Sequence, residues 1–363
     1  MNKKLIAVAV AGLFAAPSVA LAQSSVTISG FFKGGYEATK YSGRAGNNSQ
    51  WAVVDDSSRI IFNVVEDLGR GLHAIGQYDQ RMSLDMGNLV GTGNNHVGLR
   101  SNAWGRIFFG RQDLHYFGRE SEMTTRGSLR SDSISLLAFA GGGATAIAGA
   151  TRTANVIHYT TPNWGGFTVI GAYSSNAKGA DADIGSGTRK GRALNFAPTF
   201  QRGPFVGGYS YWRGKDDAGG NTLATGDQRG DRLFGSYKFG GFKIGLAFDK
   251  SKIKGATNGA SLSSRRVWSF PASYSWGNHS IHGHFDKASN DRATAGDDSA
   301  KMIALSYAYD LSKRTSAALT YAIINNRPAG VYNLFTANGL GGGVATLPGE
   351  DPRVWALTLR HQF

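Results

Sequence analysis

The chain has 363 residues, no cysteine, and a formal charge of +14 that is dispersed rather than gathered into a Lys/Arg block. Its 51 glycines, 8 prolines and 11% aromatics, with a mildly polar average hydropathy, favour strands and turns over helices. No disulfide can hold it together. With no nucleic-acid motif beside the charge, nucleic acid is not an expected partner; an anionic surface, anionic solutes or a merely soluble basic exterior remain.

Residues 1–22 read as a secretory signal peptide. Asn2-Lys3-Lys4 is the basic start, Leu5 to Ala16 the apolar stretch, and Ala20-Leu21-Ala22 the small-residue cleavage signal. The mature protein is expected to begin at Gln23 and to form one domain, residues 23–363, outside the cytoplasm. Loss of the two lysines takes the formal charge from +14 to +12. Beyond that segment no apolar run is long enough for a membrane-spanning helix.

Period-2 alternation then continues to the last residue. Val26, Ile28, Phe32 and Tyr36 alternate with Thr27, Ser29, Lys33 and Glu37. Phe242, Ile244, Leu246 and Phe248 alternate with Lys243, Gly245, Ala247 and Asp249. The pattern predicts an all-β protein with sixteen strands. The first eight fall near 25–38, 51–65, 72–83, 94–101, 105–112, 152–161, 166–175 and 190–201. The rest fall near 205–213, 228–239, 242–252, 264–275, 279–287, 299–309, 315–325 and 352–363. Tight turns such as 202–204, 240–241 and 276–278 alternate with long polar segments, the longest being 113–151.

Hairpins meandering up and down, an even strand count and tight turns on one side define a 16-stranded antiparallel transmembrane β-barrel. A soluble sandwich would have about half as many strands. Tyr159, Phe167, Tyr173, Tyr209, Tyr211, Tyr237, Phe239, Phe242, Phe248, Trp268, Phe270, Tyr274, Trp276, Tyr307, Tyr309 and Tyr321 share the apolar face near strand ends. That placement suits two interfacial girdles meeting outer-membrane lipid. The opposite face then carries Lys33, Arg59, Arg81, Arg106, Arg152, Lys238, Lys243 and Arg360, with fewer acids in Glu37, Asp79, Asp249 and Asp286. So many charges require a wet interior. The 39-residue segment 113–151 holds Arg119, Glu120, Glu122, Arg126, Arg130 and Asp132 before the apolar stretch 135–143. Its expected place is folded into the lumen, narrowing it; packing on a neighbouring subunit is the alternative.

Across the mature length the chain resembles the Gram-negative trimeric porin family. SSVTISGFFKGGYE (24–37) is similar to its first strand, and SSRIIFNVVEDLGRGLHAIGQYD (57–79) to its second and third. WGRIFFGRQD (104–113) is similar to the fifth strand, RTANVIHYTTPNWGGF (152–167) to the segment after the third loop, and WALTLRHQF (355–363) to the terminal strand. The resemblance implies a homotrimer of passive channels, with a constriction between wall arginines at Arg59, Arg111 and Arg152 and the third loop. Alternation counted from Ile107 and Phe109 would point Arg111 outward. The loop departs from cation-preferring relatives at 137–142, which carries no acid. The nearest carboxylates are Asp132, Glu122 and Glu120, which leaves a positive throat similar to the anion-selective branch. By resemblance, Phe363 is a signal read by the outer-membrane assembly machinery.

No catalytic motif appears, and no cofactor is expected. His279, His282, His284 and Asp286 are the one cluster with metal-like spacing, but a polar lumen lining accounts for it without a metal. The expected function is a water-filled outer-membrane channel for small hydrophilic, preferentially anionic solutes. A substrate-specific oxyanion or organic-acid channel and, more remotely, a barrel enzyme are the alternatives.

Overall fold

The computed structural model describes residues 24–116, 126–137, 147, 149–177, 191–215, 226–255, 258–293, 295–335 and 346–363. The expected signal peptide, Glu120, Glu122, Arg119 and most of 138–148 lie outside those residues. Strands occupy almost all of the rest: β1 (Ser25–Ser42), β2 (Ser49–Asp55), β3 (Arg59–Gly69), β4 (Leu72–Ser83), β5 (Asn88–Ser101) and β6 (Gly105–Gln112). After the long third connection come β7 (Thr153–Thr160), β8 (Phe167–Ser174), β9 (Arg192–Arg202), β10 (Phe205–Lys215), β11 (Asp227–Phe239) and β12 (Phe242–Lys254). The wall is completed by β13 (Ser261–Trp276), β14 (His279–Ala288), β15 (Ala300–Asp310), β16 (Thr315–Asn326) and β17 (Asp351–Gln362).

All neighbours are antiparallel. β17 pairs with β1 from Phe31↔Gln362 to Ser42↔Asp351, so the sheet closes and no edge is left for the membrane to penalise. β2 and β3 both pair with β1, Lys40↔Ser49 to Gly34↔Asp55 and Phe31↔Arg59 to Ser25↔Val65. They are two halves of one pass, and the wall has sixteen strands. The second strand expected at 51–65 is therefore interrupted at Asp56-Ser57-Ser58. The cause is local: Ser57 has φ +72°, and the Asp55 carboxylate accepts from the N–H groups of Ser57 and Ser58 at 2.8 and 3.1 Å. Tight turns lie together at one end, as expected. On the other end three connections, 43–48, 84–87 and 255–260, are short, because the strands flanking them run further than the sequence pattern suggests.

Outside, the apolar face is exposed, as a bilayer-facing wall must be. Rings stack along its lower rim: Phe239 on Phe242, Phe242 on Tyr274, Tyr274 on Trp276, and Trp276 on His279. His279 thus belongs to the girdle and accompanies neither His282 nor His284. A second group, Phe248, Trp268, Phe270 and Phe285, lies higher on β12–β14. The terminal Phe363 exchanges backbone hydrogen bonds with Gly30, and its ring rests 5.1 Å from that of Phe32. A Cβ on Gly30 would lie 2.2 Å from the Arg59 carbonyl oxygen and 3.1 Å from the Phe363 ring, so only glycine fits this seam.

Candidate functional site

The interrupted strand builds the site. The turn at Ser57 aims its hydroxyl at two guanidiniums, accepting from Arg59 Nη2 at 3.0 Å and Arg81 Nη1 at 2.8 Å. Asp79 faces the same pair, 3.8 Å from Arg59 and 3.4 Å from Arg81. It can do so because β4 and β5 slip register there and Gly93 leaves room: a Cβ on Gly93 would overlap the Asp79 carboxylate.

Arg152 completes the cluster from the end of the third loop. Its φ of +37° is uncommon for a residue with a side chain, and Asp113 holds it by accepting from its N–H at 3.2 Å and from Thr151 Oγ1 at 3.3 Å. Burial lowers the Arg152 pKa below the usual arginine value. The charges of Arg81 and Arg111 push the same way, while Asp113 and Asp79 oppose them. Arg111 is therefore within electrostatic reach of this group. β6 and β7 slip register between Gly110 and Gln112, which breaks the alternation that would have pointed Arg111 outward. Its Nε is shielded from solvent. Arg59, Arg111 and Arg152 come together, and Arg81, read from sequence only as another lumen charge, joins them. Asp113 and Ser57 went unnoticed, because both act through backbone geometry that alternation does not reveal.

Other basic side chains are neutralised. Lys33 Nζ lies 2.7 Å from Asp56, both nearly inaccessible, and also donates to the Gly127 carbonyl. Arg130 is bound by Glu37, which accepts from Ser128 Oγ at 2.7 Å as well. Arg126 makes a two-point contact with Asp310 at 2.7 and 2.9 Å. Asp132 caps a 3-10 turn, Ser133–Leu136, by accepting from the Ile134 N–H at 2.9 Å; burial raises its pKa first, and nearby Asp286 adds to this while His284 opposes it. Residues 126–137 are thus fastened to inward positions of β1 and β14–β17. Thr358 donates to the Arg126 carbonyl at 2.9 Å, and His284 Nε2 meets the Ser131 carbonyl at 2.6 Å. His284 and Asp286 serve this anchorage, and the described residues hold no group of three metal-ligating side chains. At the other end of the loop, His115 Nδ1 reaches Ser210 Oγ on β10 at 2.9 Å.

Towards the tight-turn end, Lys238 and Lys243 stand directly opposite each other. Arg59 and Arg360 both lie over the Phe31 ring, at 4.8 and 4.7 Å from its centre. Arg106 covers Phe108, which is itself stacked between His96 and His158.

A closed sixteen-strand barrel with an apolar exterior and a charged interior is a membrane channel. The family model described as Gram-negative porin matches residues 7–329, and the chain belongs to that family. It is an outer-membrane protein whose barrel serves passive diffusion. Outer membrane porin protein 32 of Delftia acidovorans is 29% identical over the full length of both chains. An outer membrane porin protein of Bordetella pertussis is 27% identical over 87% of this chain and 92% of its own. Among solved structures, the anion-selective porin from Comamonas acidovorans superposes with a TM-score of 0.78 at 23% identity, covering 94% of this chain and all of that one. OmpT of Vibrio cholerae, in its trimer form, gives 0.66 at 14% identity over 94% and 99%.

Proposed function

We propose that this porin prefers small anionic solutes, and that Arg59, Arg81, Arg111 and Arg152 set the preference. The carrying observation is a cluster of like charge. Arg59, Arg81, Arg111 and Arg152 gather around Asp79 and Asp113 closely enough for the cations to act on one another, whereas Lys33, Arg126 and Arg130 are each drawn to a separate acid. Low-dielectric walls focus the field of such a cluster along the lumen, drawing anions in and turning cations back. The structurally similar anion-selective porin from Comamonas acidovorans supports the same reading.

Segment 113–151, anchored to β10 at His115 and to β1 and β14–β17 at 126–137, narrows the passage from opposite walls in this proposal. Residues 1–22 direct export, and residues 23–363 form the barrel. Three copies assemble, as the trimer form of OmpT does. Fold and family are those of a channel, and no enzymatic role is assigned. Swelling of protein-loaded liposomes tests the solute preference. Small carboxylates are expected to enter faster than cationic amines of equal size; equal rates for both would overturn it.

A further inference from the structure

Two neutral residues on β5 stand behind both acids of the arginine cluster. The β4–β5 ladder passes from Tyr78↔Asn95 to Gln80↔Thr92 and leaves Asp79 out. The β5–β6 ladder ends at Asn95↔Arg111, two residues short of Asp113. Both acids therefore lie where regular pairing lapses, and a backbone N–H in the wall must still find an acceptor there. Side-chain amides supply it. Asn95 Oδ1 accepts from the Asp79 N–H, and Asn94 Oδ1 accepts from the Asp113 N–H, each at 2.8 Å. Adjacent residues thus reach to opposite neighbours of β5, one toward β4 and the other toward the root of the third loop.

The backbone around the pair is shaped to the same end. Gly93 precedes it and leaves the space that the Asp79 carboxylate fills. Gly110, at φ +148°, lets β6 close on β5, since a Cβ there would lie 2.1 Å from the Asn95 carbonyl oxygen. Asp79 held in this way stands 3.8 Å from Arg59 and 3.4 Å from Arg81. Asp113 held in this way accepts from the Arg152 N–H at 3.2 Å. A continuous link therefore runs from the Asn94 amide through the Asp113 backbone and carboxylate to the left-handed Arg152.

We propose that Asn94 and Asn95 are positioning residues for ion selectivity, acting through the acids they hold and not through any charge of their own. This rests on the reading that the arginine cluster sets the anion preference. Asn94 carries the larger share, because Asp113 is what fixes the Arg152 backbone. Asn95 carries less, because Arg59 and Arg81 also donate to Ser57 Oγ and keep that hold when Asp79 shifts.

Leucine nearly matches asparagine in shape and offers no acceptor, so Asn94→Leu and Asn95→Leu test this without altering charge. In planar bilayers Asn94→Leu is expected to lower the anion-over-cation permeability ratio about threefold. In an Arg152→Gln background it should lower the ratio no further, because both changes act on one guanidinium. Amide hydrogen exchange of the assembled protein gives a second readout that does not depend on ion preference. Exchange should become about tenfold faster at Asp113 in Asn94→Leu and at Asp79 in Asn95→Leu, and should stay slow at Asp113 in Asn94→Asp, which keeps the acceptor. Asn94→Ser and Asn95→Ser, which draw the acceptor back by one bond, should behave as the leucine variants do if those fail to assemble. Unchanged exchange at both aspartates, an unchanged ratio in Asn94→Leu of an anion-preferring parent, or a full further loss in the Arg152→Gln background would each overturn the proposal. A parent with no anion preference would overturn the reading of the cluster and this proposal with it, a result visible in the parent's own recording.

Discussion

Arg152 concentrates what a single residue contributes here. Its left-handed backbone costs on the order of 1–3 kcal/mol and persists because Asp113 and Thr151 fix it. The guanidinium is thereby held beside Arg81 and Arg111 despite their repulsion. Arg152→Gln removes one cation and leaves both carboxylates, so the anion-over-cation permeability ratio should fall severalfold while single-channel conductance changes less. Bilayer recordings of the variant check this; an unchanged ratio would assign the field to the other arginines. Arg81 was visible in the sequence as an inward charge, but its place in the cluster was not. That place depends on the turn at Ser57, where two adjacent residues lean on one aspartate.

At the scale of elements, the interruption between β2 and β3 matters most. It releases Asp56 from the ladder to meet Lys33 and to accept from the Leu129 N–H at 3.2 Å. Glu37, two pleat repeats further along β1, holds Arg130. These buried pairs link loop to wall. Removing one partner strands the other, at about 3–5 kcal/mol. Arg130→Met is therefore expected to lower the thermal midpoint and to give larger, noisier conductance, and Arg130→Met/Glu37→Gln to recover much of both. A single variant as stable and quiet as the parent would contradict this anchoring. Alternation alone set Lys33 and Glu37 on the same face of β1, where both are buried. It could not show their loop partners, Gly127, Ser128 and Arg130, which lie about ninety residues away in a segment without periodicity. For Arg111 alternation and resemblance pointed in different directions, and a register slip beside Gly110 interrupts the phase on which the alternation depended.

The whole barrel was more legible than its site. A repeated two-residue period with tight turns on one side leaves few architectures, and closure follows from the bilayer's intolerance of unpaired backbone. Closure also holds the last strand in place. Trp355, Leu357 and Leu359 face outward, and Phe363 seals β17 against Gly30 and Phe32. Deleting Phe363 should lower the yield of heat-modifiable, assembled barrel several-fold while leaving the conductance of assembled molecules unchanged; normal yield would separate the aromatic from assembly.

The central claim is that the cluster of Arg59, Arg81, Arg111 and Arg152 makes the lumen anion-preferring. Its most direct test is the zero-current potential of the purified protein in a planar bilayer across a potassium chloride gradient. The predicted sign is the one produced by chloride crossing faster than potassium, with the magnitude shrinking as ionic strength rises and screens the cluster. A potential of the opposite sign, or none at low salt, would contradict it.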